Sequence, residues 1–65
     1  QSAGQFIRNY RLNTARELIL KNRETKQMNI AEIAYEVGFN DPKYFARCFS
    51  KQFNTTPSAL LNEEE

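Results

Sequence analysis

The chain has 65 residues, enough for one domain with a thin core, of a size that buries roughly 60% of the unfolded chain's surface on folding. One cysteine and no histidine exclude an intrachain disulfide and leave a Cys/His metal site without its ligands, and no apolar run reaches bilayer length. The formal net charge is +1, but nine Lys and Arg face only five Asp and Glu once Glu63, Glu64 and Glu65 are set aside, so the body carries +4 and the terminus is acidic.

In chain order, Ser2-Ala3-Gly4-Gln5 has the Ser-x-x-Gln form of a capping box and predicts a helix from about Ala3 to Lys21. Phe6, Tyr10, Ala15, Leu18 and Ile19 supply its apolar positions. The polar segment from Asn22 to Gln27 has no apolar period and reads as a loop. Asn29-Ile30-Ala31-Glu32 repeats the capping pattern and starts a second helix over Ile30 to Val37. Gly38 stands where the chain needs a left-handed turn. Asp41 then supplies a side-chain acceptor and Pro42 a first helical position, which opens a third helix over Pro42 to Phe53. Asn54 ends that helix, Thr56 caps a fourth, and Leu60 and Leu61 offer apolar contacts back to the core. The residues expected to be most buried are Phe6, Leu18, Ile30, Ile33, Ala34, Val37, Phe39, Phe45, Phe49 and Phe53. Cys48 reads as a small core residue, and the glutamates at 63–65 as a solvated terminus without function.

No Gly-rich phosphate loop, paired-carboxylate cleft or nucleophile and base occurs, so neither enzyme activity nor a cofactor or metal is expected. Without a secretory signal or disulfides the expected location is the cytoplasm. A sharply folded helix pair suits DNA better. Successive helical residues rotate by about 100°, so Phe45, Cys48, Phe49 and Phe53 gather on one side of the third helix, while Lys43, Ala46, Arg47 and Ser50 gather on the other. An arginine can donate two parallel hydrogen bonds to guanine, a lysine can reach guanine or phosphate, and an alanine can touch a thymine methyl. Arg47 is the first candidate for base reading and Lys43 the second. Phosphate contacts are expected at Tyr44 and Lys51, which flank that face, and at the N-H groups near Ser58 and Ala31 that open the fourth and second helices. Arg8, Arg11, Arg16, Lys21, Arg23 and Lys26 read as a solvated face.

The chain also resembles the AraC/XylS transcription regulators. Arg11-Leu12, Ala15 and Leu18-Ile19 are similar to that family's R-L-x-x-A-x-x-L-L linker helix, and Ile33-Ala34 with Val37-Gly38-Phe39 to its I-A-x-x-V-G-F. Tyr44-Phe45, Arg47, Phe49, Phe53 and Thr56-Pro57-Ser58 resemble its closing Y-F-x-R-x-F-x-x-x-F-G-x-T-P-S. Three departures stand out: only one complete helix-turn-helix is present, Asn54 replaces the usual glycine, and Leu60-Leu61 replaces a Tyr-Arg pair.

The resemblance implies an all-α, homeodomain-like helix-turn-helix bundle of about four helices with a long N-terminal linker helix. It divides the single domain 1–65 into a linker helix at 1–22 and a helix-turn-helix unit with its closing helix at 30–62. It also implies that positions matching Pro42, Lys43, Ala46 and Arg47 face base edges. The expected function is therefore sequence-specific double-stranded DNA binding, by the second helix-turn-helix of a bacterial regulator. The first unit and an upstream sensor or receiver segment would lie outside this chain, and the linker helix, missing its neighbour, is expected to self-associate. The alternative is a helical protein-protein module without nucleic acid, which would need a contiguous apolar docking patch.

Overall fold

A computed structural model describes residues 2–63, so Gln1 and, from the acidic run, Glu64 and Glu65 lie outside the described residues. The described chain forms four helices and no strand: α1 (Ala3–Thr25), α2 (Ile30–Glu36), α3 (Pro42–Phe53) and α4 (Pro57–Asn62). At a rise of 1.5 Å per residue, the 23 residues of α1 account for the 35 Å long dimension of the molecule. This helix is the spine, and α2, α3 and α4 all pack against it.

Local signals set most element boundaries. The Gln5 N-H donates to Ser2 Oγ at 3.1 Å, which makes the serine half of the expected capping box. At α2 both halves form: the Glu32 N-H donates to Asn29 Oδ1 at 2.8 Å and the Asn29 N-H to Glu32 Oε1 at 2.9 Å. Asp41 accepts from the Lys43 N-H at 3.0 Å beside Pro42, and Thr56 from the Ala59 N-H at 3.0 Å beside Pro57. Asn54 ends α3 with φ 59°, the left-handed geometry for which asparagine is suited.

The turn between α2 and α3 requires glycine for its backbone conformation. Gly38 has φ 101°; its N-H donates to the Tyr35 carbonyl at 3.1 Å, and the Phe39 N-H to the Ala34 carbonyl at 2.9 Å, the paired bonds that close a helix. A Cβ at Gly38 would also lie 3.1 Å from the Arg11 guanidinium, whose Nη1 donates to the Gly38 carbonyl at 3.4 Å. Arg11 of α1 thus covers the turn.

The first helix runs past its expected end near Lys21 to Thr25, and Asn22 is the reason. This asparagine is buried, 5% exposed, rather than part of a polar loop. Its Oδ1 accepts the Gln27 N-H at 2.9 Å, the Met28 N-H at 3.0 Å and the Thr25 hydroxyl at 3.3 Å, and its Nδ2 donates to the Met28 carbonyl. The amide satisfies the backbone that leaves the helix, while Lys26 turns it with φ 53°. Asn22→Ala is expected to cost about 1–3 kcal/mol, because these N-H groups lose their acceptor. Urea unfolding checks it, and a change within about 0.5 kcal/mol would mean that the loop is held by other contacts.

The core is Leu12, Ala15, Ile19, Ile33, Ala34, Phe39, Phe45, Phe49 and Leu60, with Pro57 against it. Leu18, Ile30, Val37 and Phe53 are half-buried at its margin. The expected core position of Phe6 is wrong: Phe6 is 63% exposed, because it lies about 120° around α1 from Leu12, off the side of the helix that packs. The stripe that packs is Leu12, Ala15, Ile19 and Asn22, spaced by three and four along α1. Phe39, Phe45, Phe49 and Phe53 form a chain of aromatic contacts with centroids 5.2, 5.7 and 4.6 Å apart.

Candidate nucleic-acid interface

The helix α3 separates its residues by chemistry. Phe45 and Phe49 are buried, whereas Lys43, Tyr44, Arg47 and Lys51 are exposed and Pro42, Ala46 and Ser50 are half-buried between them. The element contains three cations and no carboxylate, so every charge on its outward side is positive. Lys43, Arg47 and Lys51 are four residues apart in succession, which aligns them along one exposed stripe. The two candidate base readers and two of the candidate phosphate contacts, Tyr44 and Lys51, therefore share one helix surface. Ser58 is exposed on the first turn of α4, and Ala31 is half-buried on the first turn of α2. The Glu32 carboxylate, held in its capping box, stands at the same end of α2 as Ala31 and opposes an anion there.

Of the arginines read from the sequence as solvated, Arg23 is half-buried and tied down, while Arg11 and Arg16 stay exposed but each meets a distant partner. Arg23 Nε donates to the Leu60 carbonyl at 2.8 Å and its Nη2 reaches Glu63 Oε2 at 3.2 Å, which ties the end of α1 to the end of α4. The Arg16 guanidinium lies 5.8 Å from the Phe53 ring centre, and Arg11 covers Gly38. Each partner comes from a distant part of the chain, so helical spacing alone carried no sign of it.

These comparisons fit the geometry. A helix-turn-helix domain family matches residues 1–63. The chain belongs to the AraC-type helix-turn-helix family of transcription regulators. It is 48% identical over 58 residues to histidine kinase P4 of Formosa agariphila, covering 89% of this chain and 4% of that protein. It is 41% identical over 56 residues to the transcriptional activator RhrA of Rhizobium meliloti, covering 86% of this chain and 17% of that protein. With the probable transcription factor PqrA of Proteus vulgaris it shares 40% identity over 55 residues, 85% of this chain and 42% of that protein. The chain thus spans less than half the length of each of these relatives. No solved structure matches it significantly. No helix among the described residues is long and apolar enough to cross a membrane.

Proposed function

We propose that this chain is the second helix-turn-helix of an AraC-type bacterial transcription regulator and binds double-stranded DNA sequence-specifically, with α3 in the major groove. One observation carries the reading: α3 buries Phe45 and Phe49 while it presents Lys43, Arg47 and Lys51, with no carboxylate among them, on one exposed stripe. Arg47 reads a base by paired hydrogen bonds, Lys43 reaches a guanine or a neighbouring phosphate, and Pro42 and Ala46 contribute shape and apolar contact. Tyr44, Lys51 and the N-terminal N-H groups near Ser58 position the domain on the backbone, with Ala31 weakened by Glu32. The apolar patch that a protein-docking module would need lies on α1, around Phe6, Ile7 and Tyr10, and not on α3.

The whole regulator would work in the cytoplasm, with a first helix-turn-helix unit and an upstream segment that receives the signal. The relative named a histidine kinase, of which this chain matches 4%, favours a phosphorylation signal over a directly bound small molecule.

Arg47 and Lys51 are expected to differ in kind. Arg47→Ala should cost about 1–3 kcal/mol on the preferred duplex and relax the preference at one base pair, whereas Lys51→Ala should weaken all duplexes alike. Titration of both variants against preferred and random duplexes measures this. Equal losses on both duplexes for both variants would refute base reading by Arg47.

A further inference from the structure

We propose that the groove between the N-terminal half of α1 and the C-terminal half of α3 is a second DNA-backbone site, in which Arg8 and Lys51 together hold a phosphate diester. The proposal rests on the DNA-binding reading of α3 and extends the footprint onto a helix that reading leaves out. Gln5, Arg8, Asn9 and Leu12 line the groove from α1, and Cys48, Lys51 and Gln52 from α3, around a volume of about 270 Å³. The spacing is i, i+3, i+4 on each helix, so one continuous side of α1 faces one continuous side of α3. Leu12, which is buried, and the half-buried Cys48 form the apolar floor.

The mouth is built for an anion. Each helix contributes one exposed cation, Gln5, Asn9 and Gln52 contribute amide donors, and no carboxylate lines the groove. Neither Arg8 nor Lys51 is neutralised, because the ion pair found among the described residues is that of Arg23 with Glu63. A guanidinium and an ammonium converging from two elements suit a phosphate oxygen, which accepts from both.

Position matters as much as charge. Lys51 lies one turn beyond Arg47 on the exposed stripe of α3, next to the proposed base reader. Arg8 also lines a second groove with Arg11, Gly38, Phe39 and Tyr44, so it stands between the two α3 residues proposed to touch the backbone. A strand followed by Tyr44 and Lys51 passes Arg8. Sequence alone set Arg8 among the solvated charges because this neighbourhood is made by the packing of α1 against α3.

The test is titration of duplex DNA with the chain over a range of salt, for the wild type, Arg8→Ala, Lys51→Ala, the double variant and Lys21→Ala. Lys21 is exposed on the same helix and lines neither groove, so it controls for the loss of one charge. Arg8→Ala should weaken preferred and random duplexes by the same factor and lower the slope of log affinity against log salt by about 0.9. The double variant should lose less than the product of the two single losses, since both side chains hold one phosphate. Lys21→Ala should leave the slope unchanged. An Arg8→Ala variant that matches Lys21→Ala while the wild type binds DNA overturns this site and leaves the α3 reading standing. A wild-type chain that binds no duplex overturns both.

Discussion

Phe49→Ala is expected to destabilise the domain by about 3–5 kcal/mol, because the site is enclosed and cannot collapse around the missing ring. Phe49 is fully buried on the inward side of α3, with its ring 5.7 Å from Phe45 and 4.6 Å from Phe53, so truncation empties a core position between two rings of the same helix. At about 0.05–0.15 kcal/mol per residue, a domain of this size holds only about 3–10 kcal/mol in all. The variant should therefore be largely unfolded, and far-UV circular dichroism with thermal melting shows it directly. Phe6→Ala, at a position 63% exposed, should change stability by less than about 0.5 kcal/mol. The reverse outcome would mean that α1 packs through the side that carries Phe6 and that the buried stripe at Leu12, Ala15 and Ile19 is misassigned.

Phe6, Ile7 and Tyr10 are 63%, 47% and 67% exposed on neighbouring turns of α1. Apolar surface left in water costs about 25 cal/mol per Å². In the proposed two-unit regulator this side of the helix would face the first helix-turn-helix. This chain alone should therefore self-associate at high concentration through the N-terminal half of α1, and as a monomer bind DNA weakly. Restoring a first unit on an unbroken α1 should raise duplex affinity by about 10²–10⁴-fold, since the second contact becomes intramolecular. Sedimentation over a concentration series, paired with titration of both forms, measures the two effects. A strictly monomeric chain that binds as tightly as the two-unit form would contradict both.

The parts of the fold that could be read along the chain are those set within a few residues. Asn29 with Glu32, Asp41 with Pro42, and Thr56 with Pro57 cap the helices they were expected to cap, and Gly38 and Asn54 turn where the left-handed geometry is needed. The exposed side of α3 was visible for the same reason, since rotation along one helix separates Arg47 from Phe45 and Phe49 without reference to any other element. What escaped depends on which helices meet. Phe6 and Leu12 are both large and apolar, and the side of α1 on which the helix-turn-helix unit packs decides that Leu12 is enclosed. Asn22 looked like one more polar residue in a polar run, yet its amide is the hub of the loop. Arg11, Arg16 and Arg23 find partners 27, 37 and 37 residues away at Gly38, Phe53 and Leu60.

The exposed stripe of α3 is proposed to read DNA sequence. Binding selection of this chain on randomised duplexes, followed by titration of the recovered duplex against a scrambled one at two salt concentrations, tests it most directly. The expected result is a short recurring half-site, tighter binding to the recovered duplex at both salts, and a steep loss of affinity with salt on both duplexes as counterions are released. Recovery of no common sequence, with equal affinity for the recovered and scrambled duplexes, would contradict it.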